Sequence, residues 1–207
     1  MKCALHLLAA LLLSVMAACN HTQNTEFAVD CIFDGIVTDS VTLQVVEEDY
    51  GMKRVVATST VKTGKAHLQG QLDAPVIALL TINRVDRPFY FILESGATQL
   101  HFTRSHTLAL GGEQNHVYAR YEHTLSQIND KRTANRKQYL KHVADSSLTK
   151  IMERRFVKTD SLLCDSVQRM TVRLINAGGP VGRLIREQHY GVLDSLYRTK
   201  ILIKKNY

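Results

Sequence analysis

Proline and cysteine are both scarce, three and four residues in a chain of 207. So little proline, with ordinary hydrophobicity, excludes disorder for most of the length. It leaves a globular chain, long enough for one large domain or two small packed units. Cys-x-x-Cys does not occur, which removes the low-pKa dithiol that thiol–disulfide exchange requires. Gly-x-Ser-x-Gly and His-Glu-x-x-His are missing as well, so neither a nucleophile elbow nor a zincin helix can be read. There is no internal repeat and no low-complexity tract. The longest apolar run, Leu5 to Ala18, falls short of the roughly 20 residues that a membrane span needs.

That run is nonetheless informative. Lys2 precedes it, only His6 and Ser14 interrupt it, and small residues lead to Cys19, the layout of a secretory signal. Met16-Ala17-Ala18-Cys19 resembles the lipobox of bacterial lipoproteins. The resemblance implies cleavage before Cys19, acylation of its thiol, and permanent anchoring, since each buried methylene contributes about 0.8 kcal/mol. The expected division is a signal peptide over 1–18, a polar tether over 19–26, a β-rich domain over 27–112 and a helical region over 113–207, packed on the sheet or following it. Residue Asn20 is not the aspartate of inner-membrane retention, and no acidic cluster of the surface-export type follows. The expected address is therefore the outer membrane, lipid-anchored on its periplasmic face, with the inner membrane as the alternative.

Two thiols, Cys31 and Cys164, then remain in the mature chain. An oxidising periplasm would permit a disulfide between them, while isolated cysteines on apolar stretches are usually inert packing residues. Both readings stand at this level.

Alternation of apolar and polar residues marks about eight short strands from Val29 to Leu110. Among them, Phe89 to Leu93 and Leu100 to Phe102 flank Ser95-Gly96 and read as a hairpin, and Thr63-Gly64 reads as a second tight turn. The fold class expected is α+β: an N-terminal antiparallel meander closing into a sandwich or a partly open barrel, then a helical C-terminal half. Asn115 is the expected N-cap of a first helix running toward Val143, and Asp145-Ser146-Ser147 the next cap. Gly178-Gly179 should stop the second helix, with Pro180 in the first turn of a third and His189-Tyr190-Gly191 interrupting it. Charge follows the same division: seven basic and ten acidic residues from Cys19 to Gly112, eighteen and nine from Glu113 to Tyr207. The basic half suits a solvated surface, a complement to the acidic sheet half, or an anionic partner such as lipid head groups. Export excludes nucleic acid.

Several short motifs reduce to local structure. Ser147-Leu148-Thr149-Lys150 and Lys62-Thr63-Gly64 match two elements of serine penicillin-binding enzymes, but in the wrong order. Gly178 to Gly182 opens a helix without the lysine of a phosphate loop. His116 with His123, and His101 with His106, find no further ligand at metal spacing. Glu47, Glu48 and Asp49 suit a solvated loop, and Glu94 has no titratable partner assignable from sequence. No catalytic residue, cofactor or metal is expected.

The lipobox, Ile32-Phe33-Asp34-Gly35-Ile36, Gly70 after Leu68, Phe91-Ile92-Leu93-Glu94-Ser95-Gly96, and Leu110-Gly111-Gly112 leading to Asn115 and Tyr118 together resemble one arrangement. It is the domain of unknown function that stands before the thioredoxin-like module in lipoprotein thiol–disulfide oxidoreductases of Gram-negative bacteria. The likeness covers about Asp30 to Tyr121, and the helices are similar to that family's connecting helices. The redox module itself has no counterpart in these 207 residues. Two functions are therefore expected: a non-catalytic envelope lipoprotein that binds or assembles a partner in the periplasm, or the accessory or truncated part of a thioredoxin-like system.

Overall fold

The computed structural model describes residues 25–47 and 52–188. Cys19 and the leader, Glu48 to Gly51, and everything from His189 onward lie outside the described residues.

Eight strands form two four-stranded sheets, and the helices follow, so the fold is α+β with strands first. The front sheet has the order β4 (Lys65–Gln71), β1 (Glu26–Phe33), β7 (Gly96–Phe102), β8 (Thr107–Leu110). The back sheet has the order β3 (Lys53–Thr60), β2 (Ser40–Val46), β5 (Val76–Ile82), β6 (Phe89–Leu93). Of the two closures open to the sequence, this is the sandwich. Its core is the alternate residues of both sheets: Phe27, Val29, Cys31 and Phe33 on one side face Val41, Leu43, Val45, Leu80 and Phe91 on the other. Removing a side chain such as Leu80 or Phe91 from water is worth about 1.5–3 kcal/mol.

Two expectations are corrected here. The sheets are not wholly antiparallel, because β1 and β7 pair in parallel from Phe27↔Gly96 to Phe33↔Phe102. Nor do β6 and β7 form a hairpin: β6 pairs with β5, and β7 with β1 and β8. The alternation is real, but Ser95-Gly96 carries the chain across the sandwich, so Phe91 and Leu93 meet Leu100 and Phe102 from opposite walls of one core. Gly96, at φ 95°, takes a conformation that suits glycine for this crossing. The turn at Thr63-Gly64 is as tight as expected, with reciprocal Lys62–Lys65 backbone bonds of 2.8 and 3.0 Å. It too turns a corner between sheets, and Thr63 (φ 51°) shares the left-handed conformation with Gly64.

The outer face of the back sheet is apolar as well. Val46, Ile77, Tyr90 and Ile92 pack against Tyr121, Leu125, Cys164, Val167, Val181, Leu184 and Ile185, which makes a third, helical layer. Burial of β5 and β6 on both faces explains why Val76 to Ile82 reads as a continuous apolar run. Helix α1 (Glu113–Ala144) and helix α2 (Lys150–Ala177) are antiparallel neighbours, and a third helix, α3, is described over residues 179–188.

Only the base of the α1–α2 pair touches the sheet. No residue from 126 to 163 is buried, and the last side chains in the sheet–helix core are Ile128 on α1 and Cys164 on α2. At 1.5 Å per residue, α1 continues about 24 Å past Ile128. The seam of this arm carries Arg132, Asn135, Tyr139 and His142 at steps of three and four, which keeps them on one side of the helix. Arg132 donates to Asp160 at 2.9 Å, Asn135 donates to the Phe156 carbonyl at 3.0 Å, and Tyr139 packs edge-on against Phe156. Polar pairs and the ring contacts of Tyr139 and His142 with Phe156 therefore hold the arm, where apolar burial holds the base.

Candidate functional site

The place where the sheet meets α1 gathers the polar groups that sequence singled out. Asn115 is not the N-cap; that position is Gly112, two residues into the loop after β8. Asn115 is instead 2% exposed and completes an edge strand. Its Oδ1 accepts from Ile92 N–H at 2.9 Å, while its Nδ2 donates to the Ile92 carbonyl at 2.6 Å and the Gly111 carbonyl at 3.2 Å. The side chain thereby mimics a neighbouring strand for β6, which has none on that side. Glu94, the carboxylate without a partner in the sequence, caps α1 from the end of β6. Its Oε2 accepts from the backbone N–H groups of Gln114 (3.0 Å) and Asn115 (3.3 Å), where the helix dipole favours negative charge. A Cβ at residue 112 would collide with that carboxylate, so Gly112 is required for space as well as for its φ of 80°. Glu94 and Asn115 are thus used to join layers.

The other polar residues resolve in the same way. Thr149, within the Ser-x-x-Lys match, is the N-cap of α2 in place of the expected Asp145-Ser146-Ser147, and accepts from Met152 N–H at 3.3 Å; Asp145 instead closes α1. Gly178 is the C-cap of α2 at φ 73°. Among the described residues, no three His, Cys, Asp or Glu side chains converge as a metal site would require. Cys31 and Cys164 are not joined. Cys31 lies inside the sandwich and Cys164 in the sheet–helix core, two separate apolar clusters, and the bridge that sequence allowed would have to pass through the back sheet. Burial, with the Asp30 charge second, pushes the Cys31 thiol up to about 12, which keeps it protonated and inert as a nucleophile. The Cys164 thiol points to Asp160 Oδ2 at 3.7 Å.

What stays open to solvent is the outer face of the front sheet. Asp30, His67 and Gln99 lie on adjacent strands at matching outward positions, since Asp30 pairs with His67 on one side and Gln99 on the other. With Ser59, Thr60, Lys62 and Lys65 from the sandwich corner they line an open depression of about 600 Å³. His67 Nδ1 is 2.7 Å from Asp30 Oδ1 and its Nε2 is 3.4 Å from Gln69 Oε1. Both partners offer an acceptor, so the protonated ring satisfies both with N–H donors. The bond to Asp30 and then the one to Gln69 raise the His67 pKa above its ordinary value. The depression offers cationic and amide donors beside one carboxylate, a surface suited to a polar or anionic group.

Alternation along β4 puts His67 and Gln69 on one side of the strand but does not announce the pairing with Asp30. The parity of each strand was visible; the register joining residues 37 positions apart was not. No protein-family profile matches the chain, and no curated protein matches it in sequence.

Proposed function

We propose that this protein is a non-catalytic lipoprotein of the cell envelope, anchored through Cys19 at the periplasmic face of the outer membrane, where it acts as a binding or assembly module. The observation that carries the reading is how its polar groups are distributed. Glu94, Asn115, Thr149 and the Arg132–Asp160 pair are engaged in holding layers and helix ends together. The Asp30, His67 and Gln99 face is instead held in place by a rigid sheet and turned to solvent. Pre-positioned side chains on strands favour recognition, because little conformational entropy remains to be lost on docking.

A second reading, the accessory part of a thioredoxin-like system, draws on one observation. Two of the segments that carry the family resemblance, around Ile92 to Gly96 and Gly111 to Asn115, meet at a single point, the sheet–helix junction.

Affinity capture of the native protein from solubilised membranes, beside a Gln99→Arg variant, tests the proposal. The expected result is an acylated Cys19 by mass spectrometry and an envelope protein that copurifies with the native chain and is lost from the variant. A copurifying thioredoxin-fold protein selects the second reading. A native protein without acylation, or one that turns over substrate with its own side chains, overturns both.

A further inference from the structure

The projecting arm has a composition that neither the sheets nor the base of the helices share. Residues 129–163 hold nine Lys and Arg against four Asp and Glu, a net of +5. Eight of those nine cations are exposed, Arg132 in the seam being the exception. At the far end the arm also exposes apolar side chains: Ile151 is 66% exposed, Leu140 52% and Val143 47%. The contacts Tyr121–Thr171 and Arg132–Asp160 fix the antiparallel register of the helices, and continuing it sets Ile151 level with Leu140 and Lys141. Lys137 stands one turn from Leu140, and Arg154 and Arg155 one turn from Ile151 on the same side of α2.

An apolar tip ringed by Lys and Arg has the chemistry of an interfacial anchor. Aliphatic side chains enter the acyl boundary while long cationic side chains reach back to phosphate. We propose that the tip of the α1–α2 arm docks on an anionic bilayer surface, with Leu140, Val143 and Ile151 inserted and the surrounding cations on lipid phosphates. A polynucleotide would satisfy the cations but gives Ile151 no apolar phase. A second copy of this chain would set +5 against +5. The inference does not depend on the proposed acyl anchor, which lies far from the tip in the sequence.

The chain contains no tryptophan, so Ile151→Trp places a single reporter at the tip of the full-length protein, and Leu140→Trp provides a second. Circular dichroism confirms that each variant is folded. With vesicles of phosphatidylglycerol and phosphatidylcholine, tryptophan emission shifts to the blue and is quenched by brominated acyl chains; with phosphatidylcholine alone it does not. Arg154→Gln lowers partitioning roughly fivefold, high salt reverses the shift, and reversal of Lys141, Lys150, Arg154 and Arg155 to glutamate abolishes it. Three outcomes overturn the proposal: emission unchanged with either vesicle, a shift indifferent to head-group charge and salt, or a shift produced by polyglutamate but not by vesicles, which would indicate an acidic protein partner. Failure of the acyl anchor reads differently, as native and Cys19→Ser proteins that pellet equally with phosphatidylcholine vesicles.

Discussion

The sheet–helix junction and the front face of the sandwich employ the same chemical groups, carboxylates and amides bonded to nearby donors, at opposite extremes of burial. At the junction Asn115 is almost completely enclosed and answers backbone groups on an edge strand. On the front face Asp30 and His67 keep 58% and 53% of their side chains in solvent. Between them stands the seam of the arm, where Arg132 and Asp160 are each 22% exposed. Water competes for the front-face groups in the folded state and cannot reach those at the junction. One kind of bond therefore serves as architecture in one place and as an adaptable surface in another.

The junction should show the largest effect. Asn115→Leu keeps the volume but withdraws both bonds to Ile92, leaving a buried N–H and a buried carbonyl without partners. Each such group costs about 1–3 kcal/mol, so a urea titration should show a loss of about 2–5 kcal/mol. Loss under about 1 kcal/mol would mean that water reaches Ile92, and the contrast with the front face would disappear.

How much of this was legible follows from the range of each interaction. The strands, the turn at Gly96 and the helix stop at Gly178 are local, and residues within four positions announce them; the cap of α2 is Thr149, two residues past the expected Asp145-Ser146-Ser147. Asn115 was picked out as a helix cap, the right residue in the wrong role, because its true partner Ile92 is 23 positions away on a strand edge. The β6–β7 segment misled for the same reason. Alternation identifies which side chains point together, but a hairpin and a sheet-to-sheet crossing give the same pattern; only the second burial surface of β6, against the helices, separates them. The arm was invisible as an arm, since a continuous helical pattern does not say where the sheet beneath it stops.

In the seam the expected effect is smaller and confined. Arg132→Met removes the paired N–H groups from Asp160 in a partly solvated setting, where charge-assisted bonds are worth about 1.5–3 kcal/mol and exposed pairs about 0.2–1. An intermediate loss of about 1–2 kcal/mol should appear. Hydrogen exchange locates it: amides of 129–163 should exchange faster while Tyr121, Leu125 and Val167 keep their protection. Equal acceleration at the base would show that arm and base unfold as one unit.

The Asp30–His67 pair should contribute least to stability, and its signature is the pH at which it acts. Its hydrogen bond to Asp30 raises the folded pKa of His67, so the protonated ring is favoured in the native state. The resulting stabilisation is complete below the unfolded value of about 6.5, and it fades as pH rises through the higher folded value. Asp30→Asn removes the charged acceptor, so the His67 titration midpoint followed by NMR should fall. The stability difference between variant and wild type should be greatest in mild acid, while Asp30 is still ionised, and vanish in mild alkali. Such a pair can gain or lose its proton, and hence its preference for an anionic visitor, without disturbing the sandwich beneath it. An unchanged midpoint in the variant would mean that solvent alone sets the proton on His67, and that the front face lacks even the modest preorganisation that distinguishes it from any other exposed strand.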